Sequence, residues 1–520
     1  MRRFIKSACI AGLLMLLLLL CLAGCTKEVK QEESAVTLTA LQYELENQGI
    51  DFGDLWFFKQ LEEKTGVHVD FAEVKEVDWE TRISLMFASG RYKDMILRGS
   101  LNTEEYGVTQ GLLLPLDDYL AEHMPNYFSR LKQDGVGDAI PSSDGKSYYI
   151  GYLLSQNINT DGHFFINRTW LDKLGLQIPT TIEELTDVLR AFRDGDPNGN
   201  GLADEVPYQA TFDDTNSGIY NVFSAWGNPM NVDFVFIGDD GRVRFAPQEA
   251  GFREGVEWLH LLCEEKLLDM ACVTQGSNLW VVKVNRDTAG YFSYWRLGNA
   301  ALDRRIAEQF ECIIPVAAQD YNAKLARNSD VVEFGAALTV QNRNVPASLR
   351  WLDAQLETET MLVSQNGPVG EMLGKTEDGR YQVLHVPQGN ELYSIVPVIC
   401  GQFFAPDEYY EQVYVPAQHR QEKSAYSAMC EEAGVLENTS YRLLKYVAPK
   451  TGEEAARIAQ LKTQLEAVIN RALADFMAHG VTDAAYAAFE QAMLDAGAAE
   501  YTALYQKAYD RYLDRQEGDK

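Results

Sequence analysis

The sequence has 520 residues, a formal net charge of −30 and 46% hydrophobic residues. A chain of this length exceeds what one hydrophobic core normally organises, so we expect two or three domains. The acidic excess argues against nucleic acid as a partner, because phosphate binding requires a basic surface. The hydrophobic content is ordinary for a globular protein.

The N-terminus has the pattern of a lipoprotein signal peptide. Three basic residues precede an apolar run at residues 8–20, and the sequence LAGC then ends at Cys25. The run is short for a spanning helix and has the flanks of a signal peptide, although an uncleaved membrane anchor is the alternative. We predict cleavage after residue 24 and lipid attachment at Cys25, which tethers the protein to the outer face of a cell membrane without spanning it. The mature chain then has 43 basic and 76 acidic residues, a net charge of −33.

Residues 25–35 form the lipidated cysteine and a polar tether. Beyond Cys25 the cysteines are widely spaced and odd in number: Cys263, Cys272, Cys312, Cys400 and Cys430. None belongs to a CxxC pair. We therefore expect buried thiols rather than a disulfide framework or a zinc site.

The first part of the mature chain alternates strands and helices. Residues 36–41 have the alternation of a strand, residues 54–65 form an amphipathic helix for which Asp54 is the candidate cap, and residues 67–71 form the next strand. The alternation continues with a predicted helix at 79–89, a strand at 94–97, a helix at 116–122 and a strand at 148–153. This order predicts a parallel α/β sheet.

A second α/β block begins near Phe164. A helix is predicted over 181–193, with Thr180 and Glu183 spaced as a capping box. Its buried stripe consists of Ile182, Leu185, Leu189 and Phe192. Further predicted elements are a helix at 252–266, strands at 290–295 and 331–340, a helix at 346–357 and a helical final hundred residues.

Several segments in the same order resemble the large, LipO-like branch of the family 1 extracellular solute-binding proteins of ABC sugar importers. The similar segments are KQLEEKTGVHVDF at 59–71, LMFASGRYKDMI at 85–96, GLLLPLDDYLAEHMPN at 111–126, DGK at 144–146, residues 164–208 and YQKAYDRY at 505–512. Together they span nearly the whole mature chain.

The resemblance implies an α/β fold of the type II-like periplasmic-binding-protein class, with two lobes, hinge crossings and a helical C-terminal region. The implied N-lobe is 36–160 plus 313–363, and the implied C-lobe is 161–312 plus 364–515. By analogy, the first crossings lie near 160–165 and 311–315. A sugar bound between the lobes then favours the closed form, because only that form contacts the ligand on both sides.

The loop DPNGNGLADE follows the first half of an EF-hand. Asp196, Asn198 and Asn200 stand at relative positions 1, 3 and 5, with glycine at 6 and the Leu202 carbonyl at 7. Position 12 is Pro207, so the usual bidentate glutamate is missing. In the proteins that this chain resembles, an adjacent acidic pair, here Asp204 and Glu205, closes the site instead. We expect a structural Ca²⁺, and the alternative is a surface turn without an ion.

A sugar ligand requires flat apolar faces and a few polar groups. Trp295 resembles the cleft tryptophan of the family, and Trp226 and Trp56 are further aromatic candidates. Tyr43, Asn47 and Arg296 are the polar candidates. By contrast, Trp170, Trp258 and Trp351 lie on helical faces and are expected in the core.

No catalytic motif stands out. GxSxG, HExxH, GxGxxG and GxxxxGK[ST] are absent, and the seven histidines have no metal-ligand spacing. We therefore expect a monomeric, noncatalytic binding protein that delivers an oligosaccharide or related sugar to the permease subunits of an ABC importer. The alternatives are a secreted glycan-active enzyme and a binder of a non-sugar ligand such as a peptide or a metal chelate.

Overall fold

The computed structural model describes residues 36–44, 51–99, 101–132, 140–154, 162–212, 218–294, 296–326, 331–384, 418–437, 443–444 and 448–518. The predicted signal peptide, Cys25, the tether, Asn47, Trp295 and Cys400 lie outside the described residues. Within the described part of the chain, no helix has both the length and the apolar character needed to cross a bilayer.

The strands among the described residues are β1 (Val36–Glu44), β2 (Val67–Lys75), β3 (Met95–Leu97), β4 (Ile150–Leu154), β5 (His163–Asn167), β6 (Val206–Gln209), β7 (Val235–Ile237), β8 (Val243–Phe245), β9 (Ala289–Tyr294), β10 (Phe310–Ile313), β11 (Leu325–Ala326), β12 (Val331–Leu338), β13 (Leu373–Lys375), β14 (Tyr381–Val383) and β15 (Leu436–Glu437).

The α-helices in the same ranges are α1 (Trp56–Thr65), α2 (Trp79–Ala88), α3 (Asp117–His123), α4 (Pro125–Leu131), α5 (Arg168–Leu174), α6 (Ile182–Asp194), α7 (Phe252–Glu264), α8 (Ser277–Val284), α9 (Leu297–Ala300), α10 (Arg304–Ala307), α11 (Val345–Asp353), α12 (Thr358–Asn366), α13 (Gln418–Glu432), α14 (Gly452–His479), α15 (Asp483–Asp495) and α16 (Ala498–Gly518). Shorter helical segments are Phe52–Asp54, Glu76–Asp78, Glu104–Thr109, Ile219–Trp226, Ala246–Gln248, Met270–Val273 and Ala354–Leu356.

The first sheet has the strand order β2-β1-β3-β12-β4. β1 is parallel to β2 and to β3, as the strand–helix–strand pattern predicts. β12 is antiparallel to both β3 and β4, although it comes from a much later part of the chain. Both faces of the sheet are covered. One core includes Leu38, Phe58 and Trp351, and the other includes Leu41 and Trp79.

The second sheet has the order β10-β5-β9-β6. β5 is antiparallel to β9 and β10, whereas β6 is parallel to β9. Side chains alternate between two apolar layers because neighbouring residues of a strand point to opposite faces. Phe164 and Tyr291 belong to a large core with α6, α7 and the C-terminal helices, whereas Phe165 and Phe292 pack with Trp280 of α8.

The stripe predicted for α6 is buried, with Ile182, Leu185, Leu189 and Phe192 each at most 5% exposed. The helical C-terminal region is also confirmed, as α14, α15 and α16. α14 buries Ile458, which fits a helix that packs one face on the second sheet's core.

The predicted cap of α6 is wrong by one residue. The N-cap is Thr181, whose hydroxyl accepts a hydrogen bond from the backbone N–H of Glu184. The carboxylate of Glu184 in turn accepts the N–H and the hydroxyl of Thr180, at 2.8 and 2.9 Å. Thr180 and Thr181 offer the same chemistry one position apart, so spacing to Glu183 could not decide between them.

The start of α1 also differs from the prediction. The helix begins at Trp56, after the separate turn Phe52–Asp54. The N-cap of α1 is Leu55, which makes no side-chain capping bond, so the predicted cap Asp54 is wrong. Asp51 caps the preceding turn instead, since it accepts the backbone N–H of Gly53 at 2.8 Å. The extra turn directs the chain from the loop after β1 into the helix.

A buried carboxylate joins the two long C-terminal helices. Glu454 in the first turn of α14 completes a capping box with Thr451. It also pairs with Lys507, at 2.7 Å, and with Arg511, both on α16. Burial by itself raises the pKa of Glu454, but the hydrogen bonds from Lys507 and Arg511 outweigh burial and lower the pKa to about 2.

We therefore expect Glu454→Gln to lower the free energy of unfolding at pH 7 by about 2 kcal/mol, because Arg511 loses its buried counter-charge. The folded-state pKa lies below the ordinary value of 4.5, so the contribution is complete above 4.5 and declines as the pH falls toward 2. Glu500→Gln is the control, since its pair with Arg457 joins the same two helices on the exposed surface. Urea unfolding at pH 7 and pH 3 gives the free energy of unfolding of both variants. Equal decreases for the two variants at pH 7 would show that the buried pair of Glu454 stabilises the protein no more than the exposed pair of Glu500.

Candidate functional site

The C-terminal ends of the parallel strands β1, β2 and β3 meet at one edge of the first sheet, which is where open α/β sheets bind ligands. At this edge Tyr43 of β1 packs against Trp79, the first residue of α2. Their ring centroids are 5.2 Å apart and the rings are nearly perpendicular. Trp79 is 2% exposed and Tyr43 is partly buried, so the tryptophan forms the floor and the tyrosine reaches the surface.

The end of β3 lies directly against the same tryptophan. Gly99 has φ +71°, and a Cβ added there would lie 2.4 Å from the Trp79 ring. Arg98 also has a positive φ, 56°, and its N–H donates to the carbonyl of Gly335 in β12 at 2.8 Å. We name Tyr43, Trp79, Arg98 and Gly99 the first-sheet edge. Left-handed backbone at Arg98 is strained, and it persists because β12 holds the strand end.

Trp56 does not join the first-sheet edge. It is partly buried and packs against the core that contains Phe58 and Trp351, on the other face of the sheet from Trp79. Asn47 lies in residues 45–50, outside the described range. Of the candidates predicted in the first lobe, the structure therefore places Tyr43 at this edge. The sequence analysis did not predict Trp79 as part of this edge, because a tryptophan at the start of a helix has the pattern of an ordinary core residue.

The second sheet has an aromatic edge of its own. β9 ends at Tyr294, whose ring stacks on Trp280 of α8 with centroids 4.9 Å apart and an interplanar angle of 27°. Trp280 also packs edge-on against Phe292, at 5.4 Å. Arg296 precedes α9, and its Nε donates to the Asn299 side chain. We name Tyr294, Arg296 and the supporting Trp280 the second-sheet edge. The predicted ligand residue Trp295 lies outside the described residues.

Trp226 lies inside the second lobe. It is 5% exposed, at the end of the helical segment Ile219–Trp226, and its ring centroid is 5.9 Å from that of Trp258. Gly251 passes so close that a Cβ there would lie 2.6 Å from the Cβ of Trp226. This packing leaves Trp226 without an exposed ring face. Trp258 is a core residue as predicted.

The DPNGNG loop folds around its own side chains. Asp196 accepts the N–H groups of Asn200 and Gly201, each at 3.1 Å. The amides of Asn198 and Asn200 both donate to Asp204, each at 3.0 Å. Four of the six predicted calcium ligands therefore have converging side chains, as a cation with six to eight oxygen ligands requires.

The other two predicted ligands complete this picture. Leu202 has an exposed side chain, as expected where only its carbonyl is to bind. Oε1 of Glu205 is buried and has no hydrogen-bond partner among the residues that the structure describes. Burial raises the pKa of Glu205, and the nearby charges of Asp204 and Asp196 raise it further. A cation would supply what this carboxylate lacks, so the donor set fits Ca²⁺.

No described group of three or more His, Cys, Asp or Glu side chains has the arrangement of a metal centre. In the DPNGNG loop the carboxylates alone are therefore too few to coordinate Ca²⁺, and the asparagine amide oxygens and the Leu202 carbonyl would have to complete the coordination. The loop joins α6 to the start of β6, and Asn198 donates to the carbonyl of Asp287 at 3.4 Å just before β9. It thus lies at the opposite end of β9 from Tyr294.

The described cysteines, Cys263, Cys272, Cys312 and Cys430, form no disulfide with one another. Cys272 and Cys430 are buried, as predicted, whereas Cys263 and Cys312 are partly buried. Burial raises the pKa of Cys272 and of Cys430 to about 12. A buried thiol with a raised pKa remains largely protonated near neutral pH and is a weak nucleophile.

Residues 39–243 match the sequence model of the bacterial extracellular solute-binding proteins. The fructooligosaccharide ABC transporter substrate-binding protein FusA of Streptococcus pneumoniae is 25% identical over 481 residues, which cover 87% of this chain and 86% of FusA. Lipoprotein LipO of Bacillus subtilis is 21% identical over 355 residues, covering 64% of this chain and 67% of LipO. The predicted resemblance is confirmed: FusA is named as a substrate-binding protein and LipO as a lipoprotein.

Solved structures have the same fold. FusA in complex with kestose has a TM-score of 0.78 at 23% identity and covers 92% of this chain and 100% of its own. A solute-binding protein for human milk oligosaccharides from Bifidobacterium longum infantis also has a TM-score of 0.78, at 20% identity, with 92% and 99% covered. One FusA structure is described as an EF-hand mutant. The predicted two-lobed periplasmic-binding-protein fold is confirmed.

A glycine-to-alanine pair tests the first-sheet edge. Gly90 and Gly99 have nearly equal φ values, +69° and +71°, but a Cβ at Gly90 meets nothing within 4 Å. We expect Gly90→Ala to cost about 1 kcal/mol of unfolding free energy from backbone strain alone. Gly99→Ala should cost about 1–3 kcal/mol more, because Trp79 must move. Urea unfolding measures both variants, and equal losses would show that the backbone does not press on Trp79.

Proposed function

We propose that this chain, whose residues 39–243 match the bacterial extracellular solute-binding proteins and whose fold is that of a two-lobed periplasmic binding protein, is a membrane-tethered receptor that captures an oligosaccharide and delivers it to an ABC importer. The observation that carries the proposal is the similarity to FusA, which extends over 87% of the chain. FusA is named for fructooligosaccharides, so short fructose polymers are the first ligand class that we propose.

The two sheet edges support a neutral sugar ligand. Tyr43 and Tyr294 each offer a partly exposed aromatic ring that is held from behind by a buried tryptophan. Rings fixed in this way bind the C–H face of a sugar with little further loss of side-chain freedom. Arg296 and Arg98 are the polar groups that we propose for the hydroxyls. Trp295 and Asn47 remain predicted ligand residues, whereas Trp56 and Trp226 lie away from both edges.

The proposed lobe boundaries remain those inferred from the sequence, 36–160 plus 313–363 and 161–312 plus 364–515. In their support, Trp351 belongs to a core of the first sheet and the C-terminal helices to the core of the second. The exchange after residue 363 has less support, because the hydroxyl of Tyr381 donates to Glu359 of α12 at 2.8 Å.

We propose that the mature chain is anchored through a lipid on Cys25 and has no catalytic activity of its own. The pattern before Cys25 and the lipoprotein LipO among the relatives support the anchor. The alternative of a glycan-active enzyme predicts continuous product release from the purified protein. Incubation with kestose should leave the sugar intact, and steady release of fructose would overturn the proposal.

Ligand binding is tested by the thermal stability of the mature chain with kestose, nystose, cellobiose and a tripeptide. Saturation at about 100 times Kd adds about 2.7 kcal/mol of stability, so the correct ligand raises the melting temperature by several degrees. We expect a rise with kestose or nystose and none with the tripeptide. A rise with the tripeptide alone would favour a peptide receptor.

The site itself is tested by Tyr43→Ala and Tyr294→Ala, each of which should weaken kestose binding about 10-fold, because the sugar loses an aromatic face. Tyr321→Ala is the control, since Tyr321 donates to Glu254 on the surface, at 2.6 Å, apart from both edges. Calorimetric titration gives the Kd values. Unchanged affinity in both edge variants would place the site elsewhere.

We also propose that Asp196, Asn198, Asn200, the Leu202 carbonyl, Asp204 and Glu205 hold a structural Ca²⁺. The bound ion would neutralise the carboxylates and fix the path from α6 to β6. Addition of Ca²⁺ to chelator-treated protein should raise the melting temperature, and Asp204→Ala should abolish the rise. Asp187→Ala on the exposed face of α6 is the control. If Ca²⁺ does not raise the melting temperature of the unmodified chain, the loop is a surface turn that binds no ion.

A further inference from the structure

Three buried side chains behind the second-sheet edge contain polar atoms that have no hydrogen-bond partner among the described residues. Gln209, at the end of β6, is fully buried, and neither its Oε1 nor its Nε2 has a hydrogen bond. Trp280 is also fully buried, and its Nε1 has none. Gln275 is 5% exposed; its Nε2 donates to the Ala210 carbonyl at 2.8 Å, but its Oε1 has no partner.

The three side chains are neighbours. Gln209 lies opposite Phe292 in the parallel β6–β9 pair, so both side chains point to the same face of the sheet. Trp280 packs against the ring of Phe292 on that face, with ring centroids 5.4 Å apart. Gln275 is bonded to Ala210, the residue that follows Gln209. These contacts place the three side chains in one region between β6, β9 and α8.

These groups need a partner, because a buried polar atom that makes no hydrogen bond loses its hydration without replacement and destabilises the folded state. The carboxamide N–H of Gln209 and the indole N–H of Trp280 donate, whereas the carbonyl oxygens of Gln209 and Gln275 accept. A water molecule accepts two hydrogen bonds and donates two, and so matches this set of two donor and two acceptor groups. A metal ion does not fit, because two of the four atoms are N–H donors. A sugar cannot reach side chains that are 0–5% exposed.

We propose that Gln209, Gln275 and Trp280 form a binding site for an ordered internal water that bridges β6 to α8. The ring of Trp280 lies between this site and Tyr294, on which it stacks at 4.9 Å. The water thus fixes the layer that supports the end of β9. The assignment depends only on these buried groups and holds whatever ligand the protein binds.

A crystal structure of the mature chain at about 1.5 Å resolution tests the site directly, since waters with three or four partners are well ordered at that resolution. We expect one density peak within hydrogen-bond distance of Gln209 and of at least one of Gln275 and Trp280. A carboxamide of Gln209 bonded directly to Gln275 or Trp280, with no water between them, would overturn the proposal.

A double-mutant cycle provides an independent test in solution. Gln209→Leu and Trp280→Phe both remove partners of the same water, so the second change should cost less when the first is present. We expect the shift in melting temperature of the double variant to be about 2–4 °C smaller than the sum of the single shifts. Additive shifts would overturn the bridging role.

Trp258→Phe is the matched control for this cycle. Trp258 is a buried tryptophan of the same lobe, but its Nε1 donates directly to the hydroxyl of Thr186 at 2.9 Å. Its loss should destabilise the protein and add to the effect of Gln209→Leu without coupling. Equal coupling in both cycles would mean that general loosening of the core, rather than a shared water, explains the result.

Discussion

The pairing of β12 with β3 and β4 is the constraint on which the rest of the molecule depends. It requires residues 331–338 to return to a sheet that the chain left after β4, so the second sheet must be built between the two visits. The same pairing holds the end of β3, because Arg98 donates to Gly335 across it. The two-lobed organisation and the shape of the first-sheet edge thus have one physical origin.

The β12 pairing also determines the packing at the first-sheet edge, one contact at a time. With Arg98 held in a left-handed conformation, only a residue without a Cβ can follow it against the face of Trp79, and Gly99 is that residue. Trp79 is then fixed and supports Tyr43. The second-sheet edge repeats the design with other elements, since Trp280 of α8 supports Tyr294 of β9. At both edges a buried tryptophan restricts the orientation of a tyrosine ring. A sugar that binds to such a ring would therefore cost little additional loss of side-chain entropy.

The sequence was most informative where structure is local. The stripe of α6 and the alternation of β1 and β2 depend on neighbours within a few residues, and they were predicted closely. The predicted cap of α6 was wrong by one residue because Thr180 and Thr181 each have a glutamate three positions later, so the spacing fits both. The position of β12 inside the first sheet has no local signal, since the pairing joins residues more than 170 positions apart. Tryptophans were the hardest to place: Trp226, a predicted ligand residue, is 5% exposed, and Trp79 and Trp280, which carry no sequence signal of their own, pack behind Tyr43 and Tyr294.

The candidate calcium loop and the aromatic residue Tyr294 lie at opposite ends of β9, which limits how a bound cation could affect sugar binding. The loop bonds to Asp287, before the start of β9, and Asp287 in turn accepts from Arg305 at 3.0 Å and from Gln309 at 2.8 Å. Gln309 accepts from Asn167 at the end of β5, so the loop is connected to three strands of the second sheet at the end away from Tyr294. A cation there would stiffen the sheet without touching a ligand at the other end. Its influence on sugar affinity would therefore pass through the stability of the lobe, which distinguishes a structural ion from one that binds the substrate.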